Sequence, residues 1–517
     1  MTDNFGFIMN LLSTTTVFSF FTLISRILGY FRDILIAIFL GASIYADAFF
    51  VAFRLPNTFR RLFAEGTFNA AFIPGYSAEK LKSKKSGKKF ADEVLALISL
   101  VLLFIVILAE IFTPFFVFLI APGFIENNLK FELAIELTRI TFPFLLLVSL
   151  SSFFSGILNS HNKFAVAAAA PIILNLLMIA SIIFSYLYDN NYSKNLSYSV
   201  TFAGLLQLIF LIFFTRKYYK PSIKLKTKIS NKVKFFVKRL LPSIFSSGVT
   251  QINILIGTII ASFQVGAVSY LYYADRIYQI NLAIAGIAVS TVSLPILSSA
   301  LKLRNFKKVH DIQNKSLELS LLLSVPAFAG LYIASEEIIN ALFGYGSFNI
   351  EDVRLTAEAL KYFSFGIPAF AVLKIFANLF FARLDTKTPF YISIFMVFIN
   401  VSISLLFFKK IGFIIIPIAT STSAWMGSIV YLYILSNKKY FNIRKYNIIN
   451  LSKILLSTTA MSIFLIFAIN FFNLQLLYSN FFKFGYLLFI VLSSAMIYLL
   501  TCNLLGVLKL NKNNYRV

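Results

Sequence analysis

Pro143–Asn175 reads PFLLLVSLSSFFSGILNSHNKFAVAAAAPIILN, two apolar runs joined by a short polar corner. An apolar helix of about 20 residues crosses a bilayer, so the stretch predicts most of two crossings with a turn between them. Pro368–Asn400, PAFAVLKIFANLFFARLDTKTPFYISIFMVFIN, lies over it with proline on proline and asparagine on asparagine at a constant offset of 225. Upstream, Ala46–Asp47 matches Ala274–Asp275 at 228, and Ala71-Phe72-Ile73-Pro74 matches Val292-Ser293-Leu294-Pro295 at 221. Each match is weak alone, because apolar residues coincide by chance. Together they predict two six-helix halves, about 10–215 and 240–435, with a two-helix addition at 454–507. Halves with an equal, even helix number are parallel repeats, related by an axis along the membrane normal and facing one another across a central cavity. That is the ordinary build of an alternating-access transporter.

The rest of the chain fits this plan. Its 517 residues are 59% hydrophobic and 13% charged, with a mean hydropathy of +0.82, whereas a soluble domain has about a quarter of its residues charged. A dozen or more crossings leave only short loops, which excludes a large soluble catalytic domain. The expected fold class is an all-α polytopic membrane protein with about fourteen transmembrane helices. Their cores are 13–38, 44–74, 90–113, 133–158, 166–187, 197–214, 240–261, 268–297, 315–335, 356–381, 389–408, 412–435, 454–473 and 483–507. The second is the weakest by hydropathy, since Arg54, Pro56, Arg60, Arg61 and Glu65 lie in it. The domain plan is 1–215 for the first lobe, 216–239 for a basic linker and 240–436 for the second lobe. Helices 13 and 14 with the tail occupy 437–517. The linker is expected to hold an amphipathic interfacial segment at 222–237.

Loop charge gives an independent test. Lysine and arginine total 47 against 21 acidic residues, a formal charge of +26. In a soluble chain this would suggest nucleic acid; here the bases alternate from loop to loop. Lys80–Lys89, Lys163, Arg216–Arg239, Lys302–Lys308, Arg383–Lys387, Lys438–Lys445 and the tail with Lys509, Lys512 and Arg516 form one set. The intervening loops are poor in base. This positive-inside pattern puts both termini in the cytoplasm, which requires an even number of spans. The Lys80–Lys89 cluster reads first as a topology anchor and second as a contact for anionic headgroups. A single cysteine, Cys502, excludes an intramolecular disulfide, and two histidines argue against a histidine metal site. The N-terminal apolar stretch, interrupted by Arg26, Arg32 and Asp33, reads as a retained helix rather than a signal peptide.

Ionised groups inside hydrocarbon are costly and should face a pore, a partner or the interface. Arg26 and Asp33 are seven residues apart, nearly one helical face, with Gly29 close to it. In helix 2, Asp47, Arg54, Arg61 and Glu65 share a phase that Arg60 does not, although Pro56 can reset it. Helix 8 opens with Asp275 and Arg276, which echo Asp47. Several arginines near one cavity repel one another unless something anionic compensates. Asp33, Asp47 and Glu65 supply part of this, and substrate phosphates would supply the rest through the planar guanidinium fork. The alternative is that Arg26 and Arg32 serve as interhelical ion-pair partners or snorkel to the interface. Position favours a functional reading for Arg26, Arg60 and Arg276, and leaves Arg54 and Arg61 open. Arg139 and Lys374 are equally open between pairing and ligand contact. Asn159, Asn175 and Asn400 read as helix cross-links or caps, and Gly344-Tyr345-Gly346 as a connecting turn.

Ser25-Arg26-Ile27-Leu28-Gly29-Tyr30-Phe31-Arg32-Asp33, Ala46-Asp47-Ala48-Phe49-Phe50-Val51-Ala52-Phe53-Arg54-Leu55-Pro56-Asn57 and Arg60-Arg61-Leu62-Phe63-Ala64-Glu65-Gly66 resemble the MurJ (MviN) family of bacterial lipid II flippases. Tyr272-Tyr273-Ala274-Asp275-Arg276 and Phe381-Ala382-Arg383-Leu384-Asp385-Thr386-Lys387-Thr388-Pro389 extend the likeness, which runs from about residue 8 to the end. The resemblance implies a fourteen-helix member of the multidrug/oligosaccharidyl-lipid/polysaccharide exporter superfamily. Such a protein moves undecaprenyl-linked disaccharide-pentapeptide between leaflets of the bacterial cytoplasmic membrane. It places the family's essential cavity arginines on Arg26, Arg32, Arg60 and Arg276 and its acidic positions on Asp33, Asp47 and Glu65, which decides for Arg60 over the phase count. It also gives helices 13 and 14 a hydrophobic groove for the lipid tail. Asn281 and Ala283 in helix 8 and Ala167 in helix 5 depart from the family's pattern at positions that bear on local helix bending.

The expected function is therefore lipid II transport by alternating access, without covalent chemistry and without a cofactor. In the absence of a P-loop, coupling falls to the membrane potential, an ion gradient or the substrate's own gradient. Expected partners are lipid II, anionic phospholipids and transient contacts with cell-wall synthesis proteins; the monomer is the functional unit and nucleic acid is not a partner. The competing readings are an exporter of another polyprenyl-linked glycan and, more remotely, a polyprenyl-carrier transferase. The transferase would need an acidic metal or acid–base cluster, whereas the acidic residues here are interleaved with arginines.

Overall fold

The computed structural model describes residues 2–64, 67–188, 191–222 and 230–508, and every regular element among them is helical. The chain separates into two compact units, Met1–Ser269 and Tyr270–Val517. The first holds α1 (Thr2–Leu40), α2 (Ile44–Ala64), α3 (Thr67–Lys82), α4 (Lys84–Ile111), α5 (Thr113–Ile120), α6 (Asn128–Thr141), α7 (Phe144–Ser160), α8 (Phe164–Tyr188), α9 (Tyr192–Thr215) and α10 (Asn231–Ala261). The helix α11 (Ala267–Leu282) begins in it and continues into the second. Then follow α12 (Val289–Lys302), α13 (Phe306–Ile333), α14 (Ser335–Phe343), α15 (Ile350–Ser364), α16 (Ile367–Phe381), α17 (Lys387–Ile411), α18 (Ile415–Asn437), α19 (Lys445–Phe471) and α20 (Lys483–Leu504).

Ten helical stretches among the described residues are long and apolar enough to cross a membrane, and the protein is a multi-pass helical membrane protein. One of these stretches, Lys387–Asn437, has 51 residues. At 1.5 Å per residue it is more than twice the roughly 30 Å hydrocarbon thickness. Its chain turns at Gly412, where φ is 74°, a conformation glycine adopts without the Cβ penalty.

In the first unit α1 lies along α8, α8 along α9, and α2 against α6 and α7. Phe72 of α3 stacks with Phe68 and Tyr76 and meets Phe153 of α7 and Phe236 of α10. In the second unit α13 is the hub for α16 and α19, while α17 pairs with α18 and α19 with α20. Its core includes Leu373, Phe376 and Phe380 of α16 with Tyr431 and Leu435 of α18. The α19–α20 pair is riveted to α13 by polar contacts. Asn447 and Asn450 donate to the Asn314 carbonyl and to Glu318, and Tyr498 donates to the Leu322 carbonyl.

Several expectations change. The basic 79–89 stretch is helical on both sides of Ser83, whose side chain accepts from Ser86 N and caps α4. Lys80 and Lys82 lie in the last turn of α3, where cations suit the helix dipole. Of the expected interfacial segment at 222–237, residues 223–229 lie outside the described residues, and from Asn231 the chain is α10, capped by Ser230. The second expected span holds α2 and the first part of α3, with residues 65–66 between them outside the described residues. Crossings four and ten are broken at Phe142–Pro143 and at Phe365–Gly366, where proline at a helix start removes a backbone donor. Helix 8 is interrupted by a π segment, Ala283–Ala288, just where Asn281 and Ala283 stand. The Gly344-Tyr345-Gly346 turn does connect helices. Its Tyr345 ring also covers the buried ammonium of Lys483, which donates to Asn340 Oδ1, Gly344 O and Tyr478 O.

Candidate functional site

The helix α1, which carries the charged motif, packs against α8. Arg26 is exposed, whereas Arg32 is 5% and Asp33 1% exposed. The Arg32 guanidinium folds back on its own helix, giving Nε and one terminal nitrogen to Asp33 Oδ1 at 3.0 and 2.7 Å. Its other terminal nitrogen donates to Asn175 Oδ1 of α8 at 2.9 Å and lies 3.6 Å from Met178 Sδ. Two arginines of one motif thus have opposite environments. At 100° per residue, six positions separate them by well over a right angle, so one can face outward while the other faces α8.

Asp47, in the first turn of α2, is fully buried and saturated. Oδ2 takes Lys130 Nζ of α6 at 2.6 Å and Gly266 N at 2.9 Å; Oδ1 takes Ser269 N and Oγ at 2.9 and 2.6 Å. The chain turns into α11 at Gly266, where φ is 77°, and the first N–H groups of a helix have no partner within it. The carboxylate of Asp47 supplies that cap, and Lys130, 4.1 Å above the Phe124 ring, neutralises it. Burial of the pair is tolerable because every lone pair is used.

Arg276 lies on α11 in the second unit, half-buried, donating to Tyr272 Oη at 2.7 Å with its guanidinium carbon 4.9 Å from that ring's centre. Asp275 accepts from Gln279 one turn on. In the helix it stands nine residues from the start, so it is not the positional echo of Asp47. The fourth residue of α11 is Tyr270, which donates to Asp352 Oδ1, the third residue of α15, at 3.1 Å. Arg60 lies in the last turns of α2, and its side chain, like that of Arg61, is outside the described residues; Glu65 is wholly outside them. Lys374 is exposed on α16. The residues that sequence reasoning missed are Lys130, Ser269 and Tyr272. Lys130 was visible only as an isolated base in a base-poor loop.

A second electrostatic centre occupies the α3–α4 corner. Glu79 accepts from Lys232 and Lys82 at 2.5 and 2.7 Å and from Ser86 at 2.5 Å. These bonds, Lys232 first, hold its carboxyl down at about 2. Tyr219 Oη and Ser222 N both bind Asp92 Oδ1, so the two described ends of the linker are fastened to this corner. His161 places Nδ1 3.2 Å from Lys80 Nζ and its ring 4.5 Å from that of Tyr218; burial and then the Lys80 charge push its pKa below the ordinary 6.5. Cys502 is buried and free. Among the described residues no group of three metal-ligating side chains stands together. The chemistry available is anion binding by guanidinium and ammonium groups.

The lipid II flippase MurJ family model matches residues 36–488. A probable lipid II flippase MurJ of Rickettsia prowazekii is 39% identical over 92% of this chain and 93% of its own length, and one of Rhizobium tropici is 39% identical over 79% and 78%. A solved lipid II flippase MurJ in an inward closed conformation superimposes with a TM-score of 0.79 at 29% identity, covering 95% of this chain and 98% of that one. An inward-facing multidrug resistance MATE family transporter of the MOP superfamily shares the fold, with a TM-score of 0.66 at 16% identity over 80% and 94%. By sequence over nearly its whole length, and by fold, the chain belongs to the lipid II flippase MurJ family.

Proposed function

We propose that this protein moves lipid II from the inner to the outer leaflet of the bacterial cytoplasmic membrane by alternating access, as a transporter and not an enzyme. The observation that carries the reading is the family match across residues 36–488. It is supported by guanidinium groups held within an otherwise apolar helical body. We read α1, the α2–α3 stretch and α10 as crossings as well, with α17 and α18 as one each, for fourteen in all, both termini lying in the cytoplasm. The lobe plan of 1–215, 216–239, 240–436 and 437–517 belongs to the same proposal.

Exposed Arg26 and Tyr272-stacked Arg276 are the direct ligands of the diphosphate, each within its own unit, and Arg60 is the third. A guanidinium matches phosphate oxygens in pairs and stays charged when desolvated. Arg32, its fork already engaged by Asp33 and Asn175, supports the site from within α1. Asp47 holds the start of α11, the helix that carries Arg276, and Glu65 offsets the α2 arginines. No cofactor is required; transport is coupled to the membrane potential or an ion gradient. Partners are lipid II, anionic phospholipids and, transiently, cell-wall synthesis proteins, with the monomer as the working unit.

The test is depletion of the native protein followed by leaflet-specific labelling of the lipid-linked precursor. Precursor should accumulate in the inner leaflet, and re-expression should release it. Arg26→Ala and Arg276→Ala should each abolish release at normal membrane abundance, and Arg→Lys should restore only part, since the bidentate fork is lost. Unimpaired outer-leaflet labelling in depleted cells would overturn the assignment. Full activity of the combined alanine variant would remove these arginines from the site.

A further inference from the structure

We infer that Asn175 is a positioning residue: one amide on α8 fixes the rotation and depth of α1 and thereby aims Arg26. The inference rests on the reading of Arg26 as a diphosphate ligand. Asn175 is 6% exposed. Its Oδ1 accepts from Arg32 at 2.9 Å, and its Nδ2 donates to the backbone carbonyl of Ser25 at 2.8 Å, with Ser25 Oγ at 3.4 Å. The amide has one way round here. A guanidinium only donates and a carbonyl only accepts, so Oδ1 must face Arg32 and Nδ2 must face Ser25.

The two residues contacted lie seven apart on α1, about 10 Å along the axis at 1.5 Å per residue, and the long Arg32 side chain brings its guanidinium to the same amide that holds the Ser25 carbonyl. Between the two residues stands Gly29, where an added Cβ would lie at ordinary contact distance, 3.5 Å, from Asn175 Oδ1, so the amide packs closely on this face of α1. Two hydrogen bonds from one buried amide, one to the α1 backbone and one to an α1 side chain, oppose both rotation and sliding of the helix at that point. The Ser25 carbonyl is the peptide oxygen directly before Arg26, which stands about 100° round the helix from Ser25 and is exposed. Met178, one turn further along α8, packs on the same guanidinium. No ionised partner on α8 is needed; a neutral amide orients Arg32 without consuming the charge of Arg26.

The experiment uses the full-length protein in nanodiscs on a Cys502→Ser background. The rate at which a cysteine at position 26 (Arg26→Cys) reacts with a charged methanethiosulfonate reagent reports the aim of that position without reference to transport. With Asn175→Leu, both bonds are lost, and the rate should shift by about fivefold to tenfold, the scale of one lost hydrogen bond, while melting temperature and abundance stay near those of the parent. Asn175→Asp keeps the acceptor for Arg32 and loses the donor to Ser25; being isosteric, it serves if the leucine variant does not accumulate, and it should shift the rate as well. In the chain with Arg26 intact, Asn175→Leu should lower leaflet release about tenfold or more, and Asn175→Gln should recover part of it. Unchanged reactivity at position 26 in a folded Asn175→Leu or Asn175→Asp protein would overturn the positioning role. Altered reactivity combined with full transport by Arg26→Ala would instead overturn the reading of Arg26 and leave the positioning role standing.

Discussion

Asp47 accepts four hydrogen bonds from residues as distant as Lys130, Gly266 and Ser269, so its carboxylate ties three parts of the first unit together. Removing one partner of such a pair leaves the other charged and buried, which costs about 3–5 kcal/mol. Lys130→Met should therefore destabilise the protein on that scale in a detergent melt. Adding Asp47→Asn should restore at least half, because the amide oxygen still accepts from Ser269 with no charge left over. His161 gives a different kind of test. Its folded-state pKa lies below 6.5 through burial and Lys80, with Tyr76 and Tyr218 the other polar groups facing the ring. As pH falls through about 6.5 the unfolded chain takes a proton that the folded one resists, so stability declines. A melt series from pH 8 to 5 should show that decline, and His161→Gln should flatten it.

At the scale of elements, the informative features are the places where helices break. Glu79 of α3 holds α4 through Ser86 and α10 through Lys232, and its carboxyl is held at about 2. A depressed carboxylate stabilises the fold above its ordinary pKa, and the contribution disappears as pH falls through that range towards 2. The loss caused by Glu79→Gln, measured as a melting-temperature difference, should accordingly be constant from pH 8 to 5 and shrink below about 4.5. The π segment after Ala283 is the second such feature. Ser320 Oγ donates to the Ala285 carbonyl at 2.9 Å, Asn378 holds the Ser290 carbonyl, and a Cβ at Gly286 would stand 3.1 Å from Ala371 Cα. π segments are rare and are frequent at functional sites. Ser320→Ala should cost about 1 kcal/mol, the usual net worth of one hydrogen bond. In the sequence the break is legible only as a departure from the family's pattern at Asn281 and Ala283. Its position depends on which side chains of α13 and α16 reach the backbone.

Across the whole molecule, loop charge and helix packing make separate statements. The alternation of bases predicts that residues 85, 308 and 438 face the cytoplasm and 126 and 336 the outside. All five are exposed, and Cys502 is buried. Cysteines placed singly at these positions, with Cys502→Ser, should be labelled by an impermeant reagent in intact cells only at 126 and 336. Labelling at 85 would invert the topology. Within each unit, the two broken crossings have matching anatomy. The fourth residue of α2 meets the third of α6 as Asp47 and Lys130, and the fourth of α11 meets the third of α15 as Tyr270 and Asp352. The helix starts run at offsets of 222 or 223 between Phe144 and Ile367, Asn128 and Ile350, Ile44 and Ala267, or Thr113 and Ser335. The proline and asparagine matches at 225 therefore fall two or three residues out of step with the helices they lie in.

Composition and periodicity by themselves determined that the chain is helical and polytopic, because hydrocarbon solvent forces backbone polar groups into helices and leaves apolar runs of fixed length in the sequence; the family came from the resemblance of the charged motifs. The sequence also marked the charged motif of α1 and the asparagine that grips it. Only the tertiary structure decided that Arg26 is exposed while Arg32 is buried, that Asp33 pairs with its neighbour Arg32, and that Lys130 belongs to Asp47. A helical phase says which residues share a face and nothing about what that face meets. The fate of a charge inside a membrane protein depends on the single group, 83 residues away for Asp47 and 143 for Arg32, that packing brings within 3 Å.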